Sequence, residues 1–358
     1  MSSQTTRLTV DVTPSSRVDV IDIKQRIREH YGDVLDQYDR TLYCSHHTTA
    51  GYFDQHLVRR LDHSPDSLQI LLRAFQELFP PNSDYHHDQL HLRTELTAEE
   101  RKSEPRNADS HLTFIGSGLE NCVPYTNETD TPVYFVDLDG VMEDRPRRRR
   151  STVVGYNKDE VVDRFEFDVP VSGHAIDSIN LKNGEIGLYH HLQEHVRRAG
   201  IDKGWIELDL DAGEQNAGLT VNEYETLLMQ HDLVDVLRNP MRHVAAKGRS
   251  MLRDPKAIPG KAKNYAKYDL VHVVNQVLDR LGLNESLVER VIDRLFAFPA
   301  SRFLRMKRSV RLLVCDTETD DNAGGKIIQG TYQSPILVQW KKSDAGRRRI
   351  NATFKRCV

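Results

Sequence analysis

The sequence predicts an α+β fold that is built twice along one chain. Its 358 residues are enough for two or three domains, and 38% hydrophobic with 28% charged residues indicates globular domains that bury their own cores. Short runs of alternating hydrophobic residues, which indicate strands, come in turn with runs at helical spacing. Because this order of elements occurs in both halves, we expect β-sandwich-like sheets with flanking helices in each half.

In the first half, a strand, a helix and a second strand lead to one polar segment. Residues 8–12 alternate, residues 23–38 carry an apolar stripe at helical spacing, and the next strand ends at His47-Thr48-Thr49-Ala50-Gly51. Another helix is predicted from Ser64-Pro65, since serine caps helix starts and proline suits the first helical turn. A closing strand pattern follows at 132–136.

The second half repeats this order with an insertion. Strand and helix patterns again lead to an Ala-Gly pair, here within Glu214-Gln215-Asn216-Ala217-Gly218. Two further helix patterns, joined at a glycine, predict a helical insertion at about 254–298. Polar residues near position 157 separate the two copies, so we expect one domain at 1–157 and a diverged second domain at 158–358.

Nothing in the sequence predicts a membrane or secreted protein. No apolar run approaches the roughly 20 residues of a membrane-spanning helix, and the first residues have no signal-peptide pattern. The four cysteines are far apart and lack CxxC spacing, which argues against a disulfide framework and a thiolate zinc site. We therefore expect a cytoplasmic protein.

Histidine is the one residue type whose distribution indicates function. Nine of the 16 histidines lie in the first 111 residues. Histidine is the side chain used most often for proton transfer near neutral pH, and it is a common zinc ligand. The first third of the chain is therefore where we expect a site.

Five segments of the first half form a set of motifs in one order: His47-Thr48-Thr49-Ala50-Gly51, Asp84-Tyr85-His86-His87, Asn107-Ala108-Asp109-Ser110-His111-Leu112, Asp137-Leu138-Asp139-Gly140 and Pro146-Arg147-Arg148-Arg149-Arg150. This set resembles the motifs of the YjbQ family, whose members are described as secondary thiamine-phosphate synthases. The second half resembles the same family at Gly330-Thr331-Tyr332-Gln333. The resemblance implies two tandem domains of a small α+β type, a histidine-lined metal site and a trimer-type homo-oligomer.

The two halves depart from the family pattern in complementary ways. In the first, Pro105 replaces the glutamate of a family motif, and Glu104 is the nearest carboxylate. In the second, Glu214 takes the place of His47, and Arg302 aligns with His111. We therefore expect a composite site to which both halves contribute.

The resemblance implies a divalent metal held by His47, His87 and His111. Three neutral imidazoles and a water form an open zinc site that lowers the pKa of the bound water. Zinc is the first expectation, although imidazole also suits nickel, iron and copper. The alternative is that the pairs His46-His47 and His86-His87 are polar surface residues.

Nearby polar residues predict the remainder of the site. Asp109, Glu104 and Asn107 form an acid–amide set in which a carboxylate orients a ligating imidazole or acts as general base. The alternative is ordinary turn and helix-cap chemistry. For substrate binding we expect hydroxyl, amide, backbone and guanidinium groups at Thr48, Thr49, Ser117, Arg147, Thr331 and Gln333. Ser117 lies in a Gly-Ser-Gly segment that suits a phosphate-binding loop or a plain turn.

The arginine runs at 145–150 and 347–349 do not predict nucleic-acid binding. Arginine neutralises phosphate, but the chain has no interleaved aromatic platform and no DNA-binding motif, and acidic residues adjoin both runs. Subunit contacts or an anionic substrate are the expected partners of these side chains.

Together these features predict a metal-dependent enzyme acting on a small phosphorylated or anionic metabolite. The resemblance implies a transfer like that of thiamine-phosphate synthase. Two alternatives remain open: a zinc-dependent hydrolase or lyase of a specialised biosynthetic pathway, and a non-catalytic ligand-binding module.

Overall fold

The computed structural model describes residues 5–94, 96–142, 144–238, 306–316 and 324–358. The predicted insertion at about 254–298 and Arg302 lie outside the described residues. The chain forms two compact units, each drawing on both halves of the sequence. Unit 1 comprises Met1–Arg59, Gly118–Tyr224 and Met306–Val358, and unit 2 comprises Arg60–Ser117 and Glu225–Arg305.

The first half has short strands and mostly short helices. Its strands are β1 (Thr6–Val12), β2 (Asp19–Asp22), β3 (Arg40–Ser45), β4 (Ala50–Gly51), β5 (Cys122–Thr126), β6 (Tyr134–Asp137), β7 (Val141–Met142), β8 (Arg145–Pro146) and β9 (Arg149–Tyr156). Its helices are α1 (Ile23–Tyr31), α2 (Gln55–Arg60), α3 (Pro65–Leu78), a 3₁₀ turn (Leu90–Leu92), α4 (Glu100–Ser103) and α5 (Ala108–Ser117).

The described part of the second half is richer in strands. Its strands are β10 (Asp159–Pro170), β11 (Asp177–Asn180), β12 (Lys203–Leu210), β13 (Ala217–Asn222), β14 (Ser309–Cys315), β15 (Lys326–Ile328), β16 (Ser334–Gln339) and β17 (Arg347–Cys357). Its helices are α6 (Leu188–Ala199), a π-helical turn (Leu228–Asp232) and α7 (Leu233–Arg238). No helix among the described residues is both long and apolar enough to cross a membrane.

The strand order of the second half repeats that of the first. The first half forms one antiparallel sheet in the order β1-β9-β3-β5 and another in the order β2-β6-β4. The second half forms β10-β17-β12-β14-β15 and β11-β16-β13, which is the same arrangement with one added edge strand. The predicted α+β class is confirmed, and both pairs of sheets are antiparallel.

Among the residues that the structure describes, three hydrophobic clusters hold unit 1 together. One lies within the strands and α1 of the first half, and another within the strands and α6 of the second half. The third joins the two halves, where Trp205 packs against Tyr156 with ring centroids 5.7 Å apart. Burying side chains of this size contributes roughly 1.5–3 kcal/mol each, so this third cluster binds the halves firmly.

Helix ends follow local signals, and one prediction was too long. Ser64 caps α3 by accepting the backbone N–H of Ser67, as predicted from Ser64-Pro65. The apolar stripe at 23–38 was predicted as one helix, but α1 ends at Tyr31 because Gly32, with φ of 67°, turns the chain away.

The segment Gly116-Ser117-Gly118 is not a phosphate-binding loop. Gly116 and the buried Ser117 belong to α5, and Gly118, with φ of 77°, follows the helix. A Cβ on Gly116 would lie 2.8 Å from the Phe79 ring, so this glycine lets α5 pack closely on the end of α3.

Candidate functional site

In the described part of unit 2, reactive side chains surround His87. Its imidazole is 1% exposed; Nδ1 lies 3.0 Å from Oδ1 of Asp88, and Nε2 lies 3.6 Å from Oε2 of Glu225. The ring of His111 lies beside it, with centroids 5.3 Å apart. We call His87, Asp88, His111 and Glu225 the His87 cluster; it combines two buried imidazoles with a carboxylate from each half of the chain.

Asp88 positions both histidines. The same oxygen that contacts His87 Nδ1 accepts the backbone N–H of Ala108, at 3.0 Å, in the first turn of α5. His111 lies one turn further along that helix. One carboxylate thereby orients the His87 ring, favouring a proton on Nδ1, and fixes the start of the helix that carries His111.

Arg93 holds Glu225 in place. The Arg93 side chain is 2% exposed and forms ion pairs with Glu225 and, at 2.7 Å, with Glu104. Glu104, predicted as catalytic, therefore neutralises Arg93, which in turn pairs with the glutamate beside His87. Breaking such a buried pair by removing one partner costs about 3–5 kcal/mol, so Arg93 stabilises the position of Glu225.

Asp232, from the π-helical turn of the second half, fixes the backbone at His87. Its two carboxylate oxygens accept the backbone N–H groups of His86, at 2.8 Å, and His87, at 2.9 Å. The His86 ring stacks on His231 with centroids 4.8 Å apart. The second half therefore supplies both a side chain that faces His87 and one that holds its backbone.

The other two residues predicted as catalytic lie at the start of α5. Asn107 precedes the helix, and its carbonyl accepts the backbone N–H groups of Ser110 and His111. Asp109 lies in the first turn, where a negative charge is favourable. Both side chains are buried, at 5% and 2% exposed. The backbone of Asn107 therefore caps the helix, as the alternative of ordinary helix-cap chemistry proposed.

The charges around His87 favour its protonated form. Burial by itself lowers the pKa of an imidazole, but the hydrogen bond to Asp88 and the charge of Glu225 outweigh this effect. The pKa of His87 is consequently raised above its ordinary value of 6.5. A buried histidine with a raised pKa between two carboxylates is suited to giving and taking a proton near neutral pH.

The cluster fits a metal ion only in pairs of donors. Ligand atoms on a tetrahedral ion with bonds of about 2.1 Å lie about 3.4 Å apart, and two such imidazoles have centroids about 5.2 Å apart. The 3.6 Å between His87 and Glu225 and the 5.3 Å between the two rings match these values. Among the residues that the structure describes, however, no group of three or more side chains is arranged to hold a metal.

His47, the third predicted metal ligand, belongs to unit 1. Its Nε2 accepts the backbone N–H of Arg150 at 2.8 Å. Burial and the nearby arginines lower the pKa of His47 to about 3, so its ring is neutral at physiological pH. Glu214 occupies the corresponding place in the second half, where its Oε1 accepts the backbone N–H of Arg349 at 2.9 Å.

Gln333 from the second half fastens the backbone at His47. Its side-chain amide donates to the carbonyls of Ser45 and His47, both at 2.9 Å, and its oxygen accepts the N–H of Gly330. Both kinds of hydrogen-bonding atom are thus engaged by the protein, which makes Gln333 a positioning residue. Thr331, in the same turn, is exposed.

The remaining residues predicted to bind substrate contact other protein groups in unit 1. Thr49 is buried, with its hydroxyl 3.4 Å from the Arg149 guanidinium. The Thr48 carbonyl accepts a hydrogen bond from the Asn222 side-chain amide at 3.2 Å. Arg147 is 34% exposed and pairs with Asp139. Arg147 is therefore the charged side chain of this set, and it is partly exposed at the surface.

Buried arginines mark the same position in both halves. Arg149 donates to both oxygens of Asp137, at 2.6 and 2.9 Å, and both side chains are almost fully buried. In the second half Arg348 donates to the Gln339 amide at 3.2 Å. Strand pairing places Ala50 opposite Asp137 in the first half and Ala217 opposite Gln339 in the second. The Arg149–Asp137 and Arg348–Gln339 contacts are therefore equivalent.

Sequence reasoning missed four members of the unit 2 site. Asp88, Arg93, Glu225 and Asp232 belong to none of the motifs that the sequence analysis used. Asp88 directly follows His87, which was a local signal. Glu225 and Asp232 lie more than a hundred residues away along the chain, and their role depends on the way the second half folds against the first within unit 2.

Comparison with known proteins identifies similar solved structures. No family model and no curated protein matches this sequence. A hypothetical protein from Aeropyrum pernix K1 is 14% identical over 54% of this chain and 97% of its own, with a TM-score of 0.29. A YbjQ-like protein of unknown function from Sulfolobus solfataricus P2 is 12% identical over 56% and 99%, with a TM-score of 0.29.

A third solved structure carries the family name in full. It is an uncharacterized conserved protein of the yjbq/upf0047 family from Clostridium acetobutylicum, 13% identical over 53% of this chain and 98% of its own, with a TM-score of 0.27. About half of this chain thus aligns with nearly the whole of each solved protein. The solved structures to which this chain is similar therefore include proteins of the YjbQ family, which its sequence motifs resemble.

Proposed function

We propose that this chain is an enzyme that acts on a small phosphorylated or anionic metabolite, with the His87 cluster as its reactive centre. The observation that carries the proposal is the placement of one buried imidazole between the carboxylates of Asp88 and Glu225. The substrate class comes from the sequence resemblance, which implies a transfer like that of thiamine-phosphate synthase.

In this proposal His87 transfers the proton. Asp88 holds the proton on Nδ1, which leaves Nε2 as the atom that exchanges a proton with substrate, and Glu225 stabilises the imidazolium when Nε2 is protonated. Arg93 and Asp232 are positioning residues, because they bind Glu225 and the backbone of His87. A positioned general acid or base contributes typically 10²–10⁴-fold to a rate.

A metal-dependent version is the second candidate. The 3.6 Å between Nε2 of His87 and Oε2 of Glu225 favours it, and zinc remains the first expectation for imidazole and carboxylate donors. When bound, such an ion supplies a Lewis acid. Metal analysis of the purified protein tests this version: His87→Gln and His111→Gln should each lose a stoichiometric metal. A metal-free wild type would contradict it.

The proposed transfer is tested by pyrophosphate release. Purified full-length protein would be supplied with the substrates of thiamine-phosphate synthase and a divalent cation, and release of inorganic pyrophosphate would be measured. We expect His87→Gln to reduce the rate by about 100-fold or more. His190→Gln, which changes an exposed histidine on α6, is the matched control and should leave the rate unchanged.

Two outcomes would contradict the proposal. Equal rates for wild type and His87→Gln would remove His87 from the chemistry. A wild type that binds these substrates without releasing pyrophosphate would instead favour the non-catalytic binding module. A hydrolase or lyase would be recognised by product formation from one of these substrates alone.

We also infer that the two halves arose by tandem duplication. The repeated strand order and the matching contacts of Arg149 and Arg348 support this origin. The resemblance further implies a homo-oligomer of trimer type. Light scattering of the purified chain tests the assembly, and a monomer at micromolar concentration would contradict it.

A further inference from the structure

All four cysteines of the chain are buried in the cluster that joins the two halves of unit 1. They are Cys44, Cys122, Cys315 and Cys357. Cys44 lies on β3 and Cys122 on β5, in the first half, whereas the other two lie on β14 and β17, in the second. The His87 cluster uses none of these thiols, and strand pairing shows which of them lie opposite each other within a sheet.

Cys44 and Cys122 lie directly opposite each other in an antiparallel ladder. At the next position along this ladder, the Ser45 N–H donates to the Asn121 carbonyl at 2.7 Å, so that pair is hydrogen-bonded. Hydrogen-bonded and non-hydrogen-bonded pairs alternate, which makes Cys44 and Cys122 a non-hydrogen-bonded pair with Cα atoms about 4.5 Å apart. A disulfide needs Cα atoms about 4.4–6.8 Å apart, so this pair meets the requirement.

The other two cysteines do not meet it. Cys315 lies opposite Lys203 of β12, and Cys357 lies opposite Asp159 of β10. Because β12 lies between β14 and β17, the Cα atoms of these two cysteines are separated by two strand spacings, roughly 9.5 Å. Within each sheet, only the first pair is therefore placed for a direct bond.

We propose that Cys44 and Cys122 form a redox-active pair that closes to a disulfide on reaction with a small-molecule disulfide such as oxidised glutathione. In the first step, one cysteine thiolate attacks a glutathione sulfur, the glutathione S–S bond breaks, and one glutathione leaves as a thiolate that takes up a proton. In the second step, the other cysteine thiolate attacks the mixed disulfide and displaces the second glutathione. The protein loses two protons and two electrons, and the oxidant gains them.

Burial makes this reaction slow, and the position of the pair places it next to the His47 segment. The hydrogen bond with Cys122 and burial raise the pKa of the Cys44 thiol well above its ordinary value, so its reactive thiolate is scarce. The disulfide would lie beside the Ser45–Asn121 pair, and the Asn121 side chain donates to the His47 carbonyl at 2.5 Å. Oxidation would therefore cross-link the two strands that support His47.

Oxidation of the reduced full-length protein tests the proposal. The protein would be incubated with oxidised glutathione, remaining thiols would be alkylated, and disulfide-linked peptides would be identified by mass spectrometry. We expect loss of two hydrogens and a peptide that links Cys44 to Cys122. The Cys315→Ser/Cys357→Ser double variant should form the same link, and dithiothreitol should reverse it.

Single variants keep the test decisive. Cys122→Ser should form no internal link and should stop at a glutathione adduct on Cys44; if it does not fold, Cys44→Ala replaces it and should form no link either. A linked peptide containing Cys315 or Cys357 would overturn the proposal. So would a wild type whose thiols resist oxidation until urea unfolds it, because the pair would then not react in the folded protein.

Discussion

Substituting Gly330 tests the contact by which the second half holds the His47 segment within unit 1. In Gly330→Ala, the new Cβ would lie 1.8 Å from the carbonyl oxygen of His46 and 2.8 Å from its carbonyl carbon. Real Cβ atoms do not approach other atoms closer than 3.0 Å, so the turn and the His46 backbone must move apart by more than 1 Å. Both are backbone segments, which cannot yield as a flexible side chain does.

The cost follows from what such a displacement breaks. The Gln333 side chain donates to the Ser45 and His47 carbonyls at 2.9 Å, and an added 1 Å takes both contacts beyond hydrogen-bond length. Each lost bond contributes about 0.5–1.5 kcal/mol, and overpacking strain adds about 1–3 kcal/mol. We therefore expect Gly330→Ala to lower the free energy of unfolding by about 2–6 kcal/mol.

Urea unfolding followed by tryptophan fluorescence measures this loss, since Trp205 and Trp340 both belong to unit 1. Gly184→Ala is the matched control, because a Cβ there has no atom within 4 Å. The control measures the stabilisation that alanine gives by lowering the conformational entropy of the unfolded chain, about 0.4–1 kcal/mol. If Gly330→Ala came within about 0.5 kcal/mol of the control, the close contact would be refuted.

Three further predictions concern charged side chains in unit 1. Arg149→Met leaves the Asp137 carboxylate buried and should lower the free energy of unfolding by about 3–5 kcal/mol. Arg348→Met should cost less in the same urea experiment because Glu214, the carboxylate that Arg348 pairs with, is 19% exposed whereas Asp137 is fully buried, and equal losses would contradict this. Burial raises the pKa of Glu207, but the charge of Arg311 helps to lower it below 4.5. Glu207 therefore stabilises the fold above pH 4.5, and the difference in unfolding free energy between wild type and Glu207→Gln should shrink on acidification; a constant difference would argue against it.

Local patterns were sufficient to predict much of the fold. Alternation in residues 8–12 predicted β1, and the Ser64-Pro65 signal predicted the start of α3, because strand faces and helix caps depend on neighbouring residues. The repeated Ala-Gly pairs also mark equivalent strands, since each opposes the closing strand of its own half.

Predictions failed where a distant contact decides the local structure. Gly116-Ser117-Gly118 resembles a loop in sequence, yet its first two residues are helical, and the glycine at 116 serves instead to leave space for the Phe79 ring. Hydrophobic spacing also continued through Gly32 to residue 38, although the positive φ of this glycine ends α1. Spacing alone does not report where a glycine turns the chain.

The site was predicted in part for the same reason. His87 and His111 were found through motif resemblance, and the structure brings their rings together. Their carboxylate partner Glu225 and the backbone clamp Asp232 come from the other half of the chain, and no local pattern marks them. Gln333 was correctly linked to His47, but its amide is engaged by backbone groups and positions them.

A double-mutant cycle on His87 and Glu225 tests most directly whether the two halves build one reactive centre in unit 2. The free energies of unfolding of wild type, His87→Gln, Glu225→Gln and the double variant would be measured in urea at pH 6, where protonated His87 is well populated because its pKa is raised. The ion-pair contact at 3.6 Å predicts a coupling of about 0.5–3 kcal/mol between the two substitutions. Additive effects within about 0.3 kcal/mol would show that the two side chains do not act together, and the proposed centre would lose its support.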